Sequence, residues 1–292
     1  MGKFLIYLVC VIALGALLAP PLFWGAQSLA AHGIFPALGG FKFAKFFDRA
    51  ALIAAVLLLW PLIRSLRVSG WRDLGLAPDV RWALHWIGGF AIAAFAVAIM
   101  AFAYVGTGVY RLRPNVEWGR LPLIAISAVT VGFLEEALFR GAIFGLLRRT
   151  MKPYAALFWV TALFAIAHFL KPDDRFDSGP IGWLSGFALV PHVFHQFAEP
   201  MTLLGGFTTL FALGWLCGDA TLRTRSLWLS SGLHTGVVFV KMSFAVISKR
   251  RGTHLPWIGP ELQIGLVPVC LLLLAWVAVL LLLSRENRAF RP

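Results

Sequence analysis

Two adjacent glutamates, Glu135 and Glu136, lie with Arg140 inside the apolar run Val131 to Arg149 (VGFLEEALFRGAIFGLLRR), and two histidines, His168 and His234, lie in later apolar runs. Carboxylates and imidazoles can hydrolyse an amide with water as the nucleophile. A buried carboxylate whose pKa rises towards neutrality serves as general base, one imidazole orients the water or shuttles its proton, and another donates a hydrogen bond to the oxyanion. On a helix Glu136 and Arg140 are four residues and about 40° apart, which suits an ion pair, whereas Glu135 is turned about 100° from Glu136. One carboxylate is therefore partnered and the other is available for chemistry. Ser230 and Ser231 flank His234 in sequence, but no second group is evident to orient that imidazole as the base of a nucleophilic serine.

The elements that must hold these groups are membrane helices. The chain has 292 residues, 60% hydrophobic and only 13% charged, with a mean hydropathy of +0.81, which is too apolar for a soluble globule. A charged side chain at mid-bilayer costs about 2.5 to 3.5 kcal/mol, so Glu135, Glu136 and Arg140 must face protein or a wet cavity. The fold expected is an all-α membrane bundle of about eight transmembrane helices. Its spans are Phe4 to Trp24, Ala50 to Ile63, Trp82 to Tyr104, Leu121 to Leu147, Tyr154 to Leu170, Met201 to Leu222, Ser226 to Ile247 and Leu262 to Leu283. The first run could be a signal peptide, but its length suits a retained span. The chain divides into helices 1–3 with their loops (residues 1–120), a core of helices 4–7 (121–247), and a last helix with a basic tail (248–292).

The net charge of +13 is distributed in short clusters between apolar runs, the pattern of membrane-flanking charge. No basic face interleaved with stacking aromatics supports nucleic-acid binding. Lys/Arg counts of 13 against 11 lean towards both termini inside. Cys10, Cys217 and Cys270 sit in separate apolar runs and read as buried packing residues. Measured from the side of the short connection after Leu147, Glu135 lies at about 20 Å, His168 at about 22 Å, His234 at about 13 Å and Lys241 at about 23 Å, so these groups can converge. Asp219, at about 6 Å, belongs to the rim.

Three elements in this order, Glu135-Glu136-x-x-x-Arg140, Phe164-x-x-x-His168 and SLWLSSGLH ending at His234, resemble the motifs of the CPBP family, the CAAX prenyl protease and bacteriocin-processing intramembrane peptidases. The resemblance covers roughly Leu121 to Val240. It implies an eight-span bundle that cleaves a peptide bond within the membrane. It further implies that Glu135 and His168 activate water, that Glu136 and Arg140 support the site, and that His234 forms the oxyanion hole with an asparagine four residues later. Here that position is Val238, which has no side-chain donor, and losing one oxyanion donor costs about 100- to 1000-fold in rate. Lys241, seven residues after His234 and on nearly the same face, either supplies the missing positive end, pairs with a carboxylate, or snorkels to the surface. Phe164 packs to set the position of His168.

Other readings remain beside this one. No metal is required by a Glu/His mechanism, although Glu135, His168 and His234 would give the three ligands of a catalytic zinc. The pair His192 and His195 has ligand spacing without the flanking acid and is weak as a zinc motif. A proton-coupled carrier could use the same buried set as a relay, but helices 1–3 contain no matching set. A non-catalytic scaffold or immunity-type protein with a decayed site would explain Val238. The partners expected are membrane lipid and a membrane-anchored protein or peptide substrate, in an integral multi-pass protein of a bacterial cytoplasmic membrane.

Overall fold

A computed structural model describes residues 2–74, 76–170, 172 and 179–289. Asp173, Asp174 and Asp177 of the polar segment, and Arg291 of the tail, lie outside the described residues. The protein is an all-α membrane protein, and among the described residues seven helical stretches are long and apolar enough to cross a bilayer. The helices are α1 (Gly2–Ala31), α2 (Phe43–Ser65), α3 (Trp82–Gly106), α4 (Leu121–Glu136), α5 (Phe144–Leu147), α6 (Pro153–Ala167), α7 (Ser185–Leu189), α8 (Pro200–Thr224), α9 (Trp228–Ile247) and α10 (Leu266–Ala289). Strands β1 (Tyr110–Leu112) and β2 (Ser248–Arg250) pair antiparallel as a short ribbon.

Several boundaries differ from those expected. Helix α2 starts at Phe43 rather than Ala50, because Phe43, Phe46, Phe47, Ala50 and Ala54 form one buried stripe at helical spacing that carries the helix back into the preceding segment. Its 23 residues make it a full span, and Pro61 lies inside its last turn without ending it. Helix α6 has only 15 residues, short of the about 20 that a perpendicular span needs. It closes at Ala167 and is followed by a turn at His168 and Phe169. Cys217 is buried as expected, whereas Cys10 and Cys270 are exposed, on apolar helices whose outer faces are available to lipid.

The contacts define two compact units, residues 1–69 with 167–199 and residues 70–166 with 200–292. In the first, α1 packs along α2 through Ala16, Ala19, Phe43, Phe47 and Ala50, with Leu189 and Val193 completing the core. Phe23 meets Phe43 and Phe46 edge-on at 5.7 and 5.4 Å, and the Tyr7 hydroxyl donates to the Ala55 carbonyl at 2.9 Å. His192 and His195 are exposed in the 3-10 segment after α7.

The second unit is built on the close packing of α3 against α9. A Cβ on Gly232 would stand 2.1 Å from the Trp86 carbonyl oxygen, and one on Gly236 2.6 Å from that of Phe90, so only glycine allows the two backbones this approach. Leu213, Leu216 and Cys217 of α8 and Leu272, Ala275 and Val279 of α10 close the core around Leu229 and Leu233 of α9.

The connection into α3 is held by a buried clasp that the sequence did not advertise. Asp79 accepts hydrogen bonds from His85 Nδ1 at 2.6 Å and from the Arg81 amide at 3.0 Å. Burial works against the charged carboxyl, but the bonds from His85, Ser226 and the Arg81 amide, with the attraction of His85, outweigh it and hold Asp79 below its ordinary value. A lowered carboxyl stabilises the fold above the usual carboxylate pKa and loses that contribution as pH falls through its own, lower value. Asp79→Asn is therefore expected to cost about 1 to 3 kcal/mol at neutral pH. In detergent melts over a pH series, its deficit against the wild type should shrink on acidification.

Candidate active site

The two glutamates end the regular part of the fourth span. After Glu136 the helix passes into a π-helical segment, Ala137–Ile143, before resuming as α5. In this segment the hydrogen bonds reach one residue further back and the turn widens, a feature frequent at functional sites. The 40° offset expected of a regular helix therefore does not apply, yet the ion pair forms: Arg140 Nη1 donates to Glu136 Oε1 at 2.8 Å, with both side chains fully buried.

Arg140 is fixed on its other sides as well. Its Nη2 donates to the Gly214 carbonyl of α8 at 3.1 Å, and its guanidinium lies over the Phe164 ring of α6 at 4.3 Å. Gly214 makes room for this, because a Cβ there would be 3.3 Å from Nη2 and 2.9 Å from Thr161 Cγ2. Phe164 also presents its ring edge-on to Phe139 at 5.1 Å and to His234 at 5.8 Å. It is thus a wall shared by the cation and the imidazole, as well as the residue one turn before His168.

His234 comes from α9 and sits between the two carboxylates. Its Nδ1 is 2.9 Å from Glu136 Oε1, and its Nε2 is 3.7 Å from Glu135 Oε2. An ionised Glu136 only accepts, so Nδ1 carries the hydrogen, and in the neutral ring Nε2 is left as the acceptor facing Glu135. This corrects the expectation that nothing orients His234 as a base, since Glu136 is that group. Sequence reading missed it because the contact joins residues 98 positions apart. Gly232 and Gly236, on the opposite face of α9, press against α3 and hold the helix from behind. Glu136 is entirely closed off, whereas Glu135 keeps 19% of its side chain accessible.

The remaining expected residues are placed as follows. His168 is half-buried in the turn that follows α6 and falls in the first compact unit. Val238 occupies the position of the motif asparagine and offers no donor. Lys241 lies about 10 Å further along α9 than His234, with Nζ 3.7 Å from Glu261 Oε2 in the segment before α10. Both side chains are substantially exposed, and the acid belongs to the loop before α10. Asp219 is fully buried, accepting from Arg223 Nε at 2.7 Å and Trp276 Nε1 at 2.8 Å. Two hydroxyls are buried beside the imidazole, that of Ser231, already noted in the sequence, and that of Thr235, which sequence reading missed. They flank His234 on α9, and their oxygens have no hydrogen-bond partner among the described residues. The SSGLHT run was the signal available for Thr235.

A buried Glu–Arg pair, an imidazole held by it and a second, more accessible carboxylate thus lie together among apolar helices. Residues 117–240 match the family model described as type II CAAX prenyl endopeptidase Rce1-like, a match that supports membership of the CPBP family. No curated protein matches the chain.

The arrangement predicts an asymmetry between the two partners of the buried pair. Arg140→Met leaves Glu136 charged and uncompensated in an apolar interior and should cost about 3 to 5 kcal/mol. The double replacement Arg140→Met with Glu136→Gln should recover a substantial part of that loss. Chemical denaturation in detergent measures both.

Proposed function

We propose that the protein is an intramembrane endopeptidase that hydrolyses a peptide bond in a membrane-anchored protein or peptide, with water as the nucleophile. The observation that carries this reading is the seating of His234, with Nδ1 on Glu136 and Nε2 facing the accessible Glu135 across 3.7 Å. That separation is longer than a hydrogen bond and short enough for one water molecule to touch both groups.

Glu135 takes a proton from the attacking water as the oxygen adds to the carbonyl carbon. Passed on to Nε2, the proton converts His234 to an imidazolium, whose positive charge Glu136 stabilises through the Nδ1 hydrogen. In that state alone Nε2–H can donate to the oxyanion, and it can then protonate the leaving amine. The family resemblance adds His168 as a second group acting on the water. Arg140 and Phe164 position Glu136 and His234. Val238 withholds the oxyanion donor that the family pattern supplies.

A metal-free mechanism is the form supported by the donor set. Nδ1 of His234 is engaged by Glu136, and Glu135 with Nε2 supplies the base and the acid, so no step here is routed through zinc. The setting proposed is a bacterial cytoplasmic membrane, with membrane-anchored leader or tail segments as substrates.

The test is cleavage of a membrane-anchored peptide library by the full chain in proteoliposomes. Glu135→Gln should lower the rate by at least about 1000-fold while the melting temperature holds. Chelators should leave the wild-type rate unchanged, and Val238→Asn should raise it by about 10- to 100-fold. A scaffold would show no cleavage in any variant, and a carrier would instead lose pH-dependent flux in Glu135→Gln.

A further inference from the structure

At the far ends of α3 and α9 the ribbon of β1 and β2 gathers five exposed cations, Arg111, Arg113, Lys249, Arg250 and Arg251. The register sets Arg111 directly opposite Lys249. Side chains paired in this way stand about 5 Å apart, and like charges there destabilise the ribbon. Tyr110 and Ser248, which point to the other face, are buried, so Arg111 and Lys249 both project outward. Two cations held side by side by backbone pairing make a seat for an anion that would relieve their repulsion.

Two other cations of the ribbon are tied down rather than left to swing. Arg113 donates from Nε to the Ser248 carbonyl at 3.0 Å, and Arg250 donates to the Pro260 carbonyl. The second bond joins the ribbon to the segment before α10, whose Glu261 meets Lys241. Gln263, which hydrogen-bonds Glu261, and Lys241 also line a narrow open cleft together with Val97, Met100, Val237 and Leu271, with a cavity volume of about 30 Å³. Apart from these polar tips and Thr209 the lining is apolar, and Lys241 places it on the half of α9 nearer the ribbon. Leu112, Leu255 and Trp257 are exposed close by in sequence, the residue types that settle at a membrane–water interface.

We propose that this face binds an anionic phospholipid, its phosphate seated on Arg111 and Lys249 and the end of one acyl chain in the cleft between α3, α9 and α10. Charge selects the headgroup, and the cleft distinguishes a lipid from a soluble anion. Glu261, in the segment before α10, pairs with Lys241, which leaves the ribbon cations to the phosphate.

The experiment titrates the delipidated full chain in neutral detergent with phosphatidylglycerol or phosphatidylcholine, reading bound lipid by native mass spectrometry and the melting temperature in parallel. Phosphatidylglycerol is expected to bind about tenfold more tightly than phosphatidylcholine. Arg111→Gln with Lys249→Gln should abolish that preference, while Arg148→Gln with Arg149→Gln, which removes the same charge at the other end of the fourth span, should keep it. Leu271→Trp should weaken binding of long-chain phosphatidylglycerol and spare the dihexanoyl form. Equal binding of both lipids, equal loss from the two charge-removal pairs, or full competition by inorganic phosphate would overturn the proposal.

Discussion

A carboxylate with no exposed surface has to be compensated by its own protein, and at Glu136 that compensation comes from two directions. Arg140 neutralises the charge from one turn further along the same span, and His234 brings a hydrogen from a helix far away in the chain. Breaking either contact leaves a desolvated charge, so the positions of α4 and α9 are tied to each other through a single oxygen, Oε1. Phe164 and the Gly214 carbonyl finish the enclosure by occupying the faces of the guanidinium that Glu136 does not reach. Glu135 gains from this without taking part, being held next to an imidazole whose tautomer has already been decided.

Much of this was legible in the sequence for a simple reason: charge inside an apolar run is conspicuous. The pairing of Glu136 with Arg140 followed from spacing, the helical class from hydropathy, and the separate character of Glu135 from its azimuth. Contacts between distant segments were not legible. Nothing local to Glu136 or His234 says that they touch, and the π-helical turn between Ala137 and Ile143 has no marker that residue-type preferences would flag. The start of α2 was obscured because Lys45, Asp48 and Arg49 sit on the outer face of a helix whose buried face is aromatic, so average hydropathy fell where periodicity persisted.

Lys241 and the ribbon show the same limit from the other side. Counting along α9 put the ammonium at the height of Glu135, and height alone did not reveal that the segment before α10 supplies an acid of its own. The ribbon arises because α3 and α9, pressed together by glycine contacts in their first halves and by Val97, Met100 and Tyr104 with Phe244 in their second, emerge side by side, leaving their outgoing strands little choice but to pair.

The wide turn after Glu136 has a consequence for how this segment can vary. A π turn accommodates one residue more than the α turn it replaces, so losing any single residue between Ala137 and Ile143 would return the helix to its ordinary winding. The extra residue is taken up within the turn, so the arms on either side would keep their facing, and such a loss would remove only the local widening in which Arg140 reaches both Glu136 and the Gly214 carbonyl. Relatives aligned to this stretch can therefore differ in length by one residue while both halves of the span hold their neighbours.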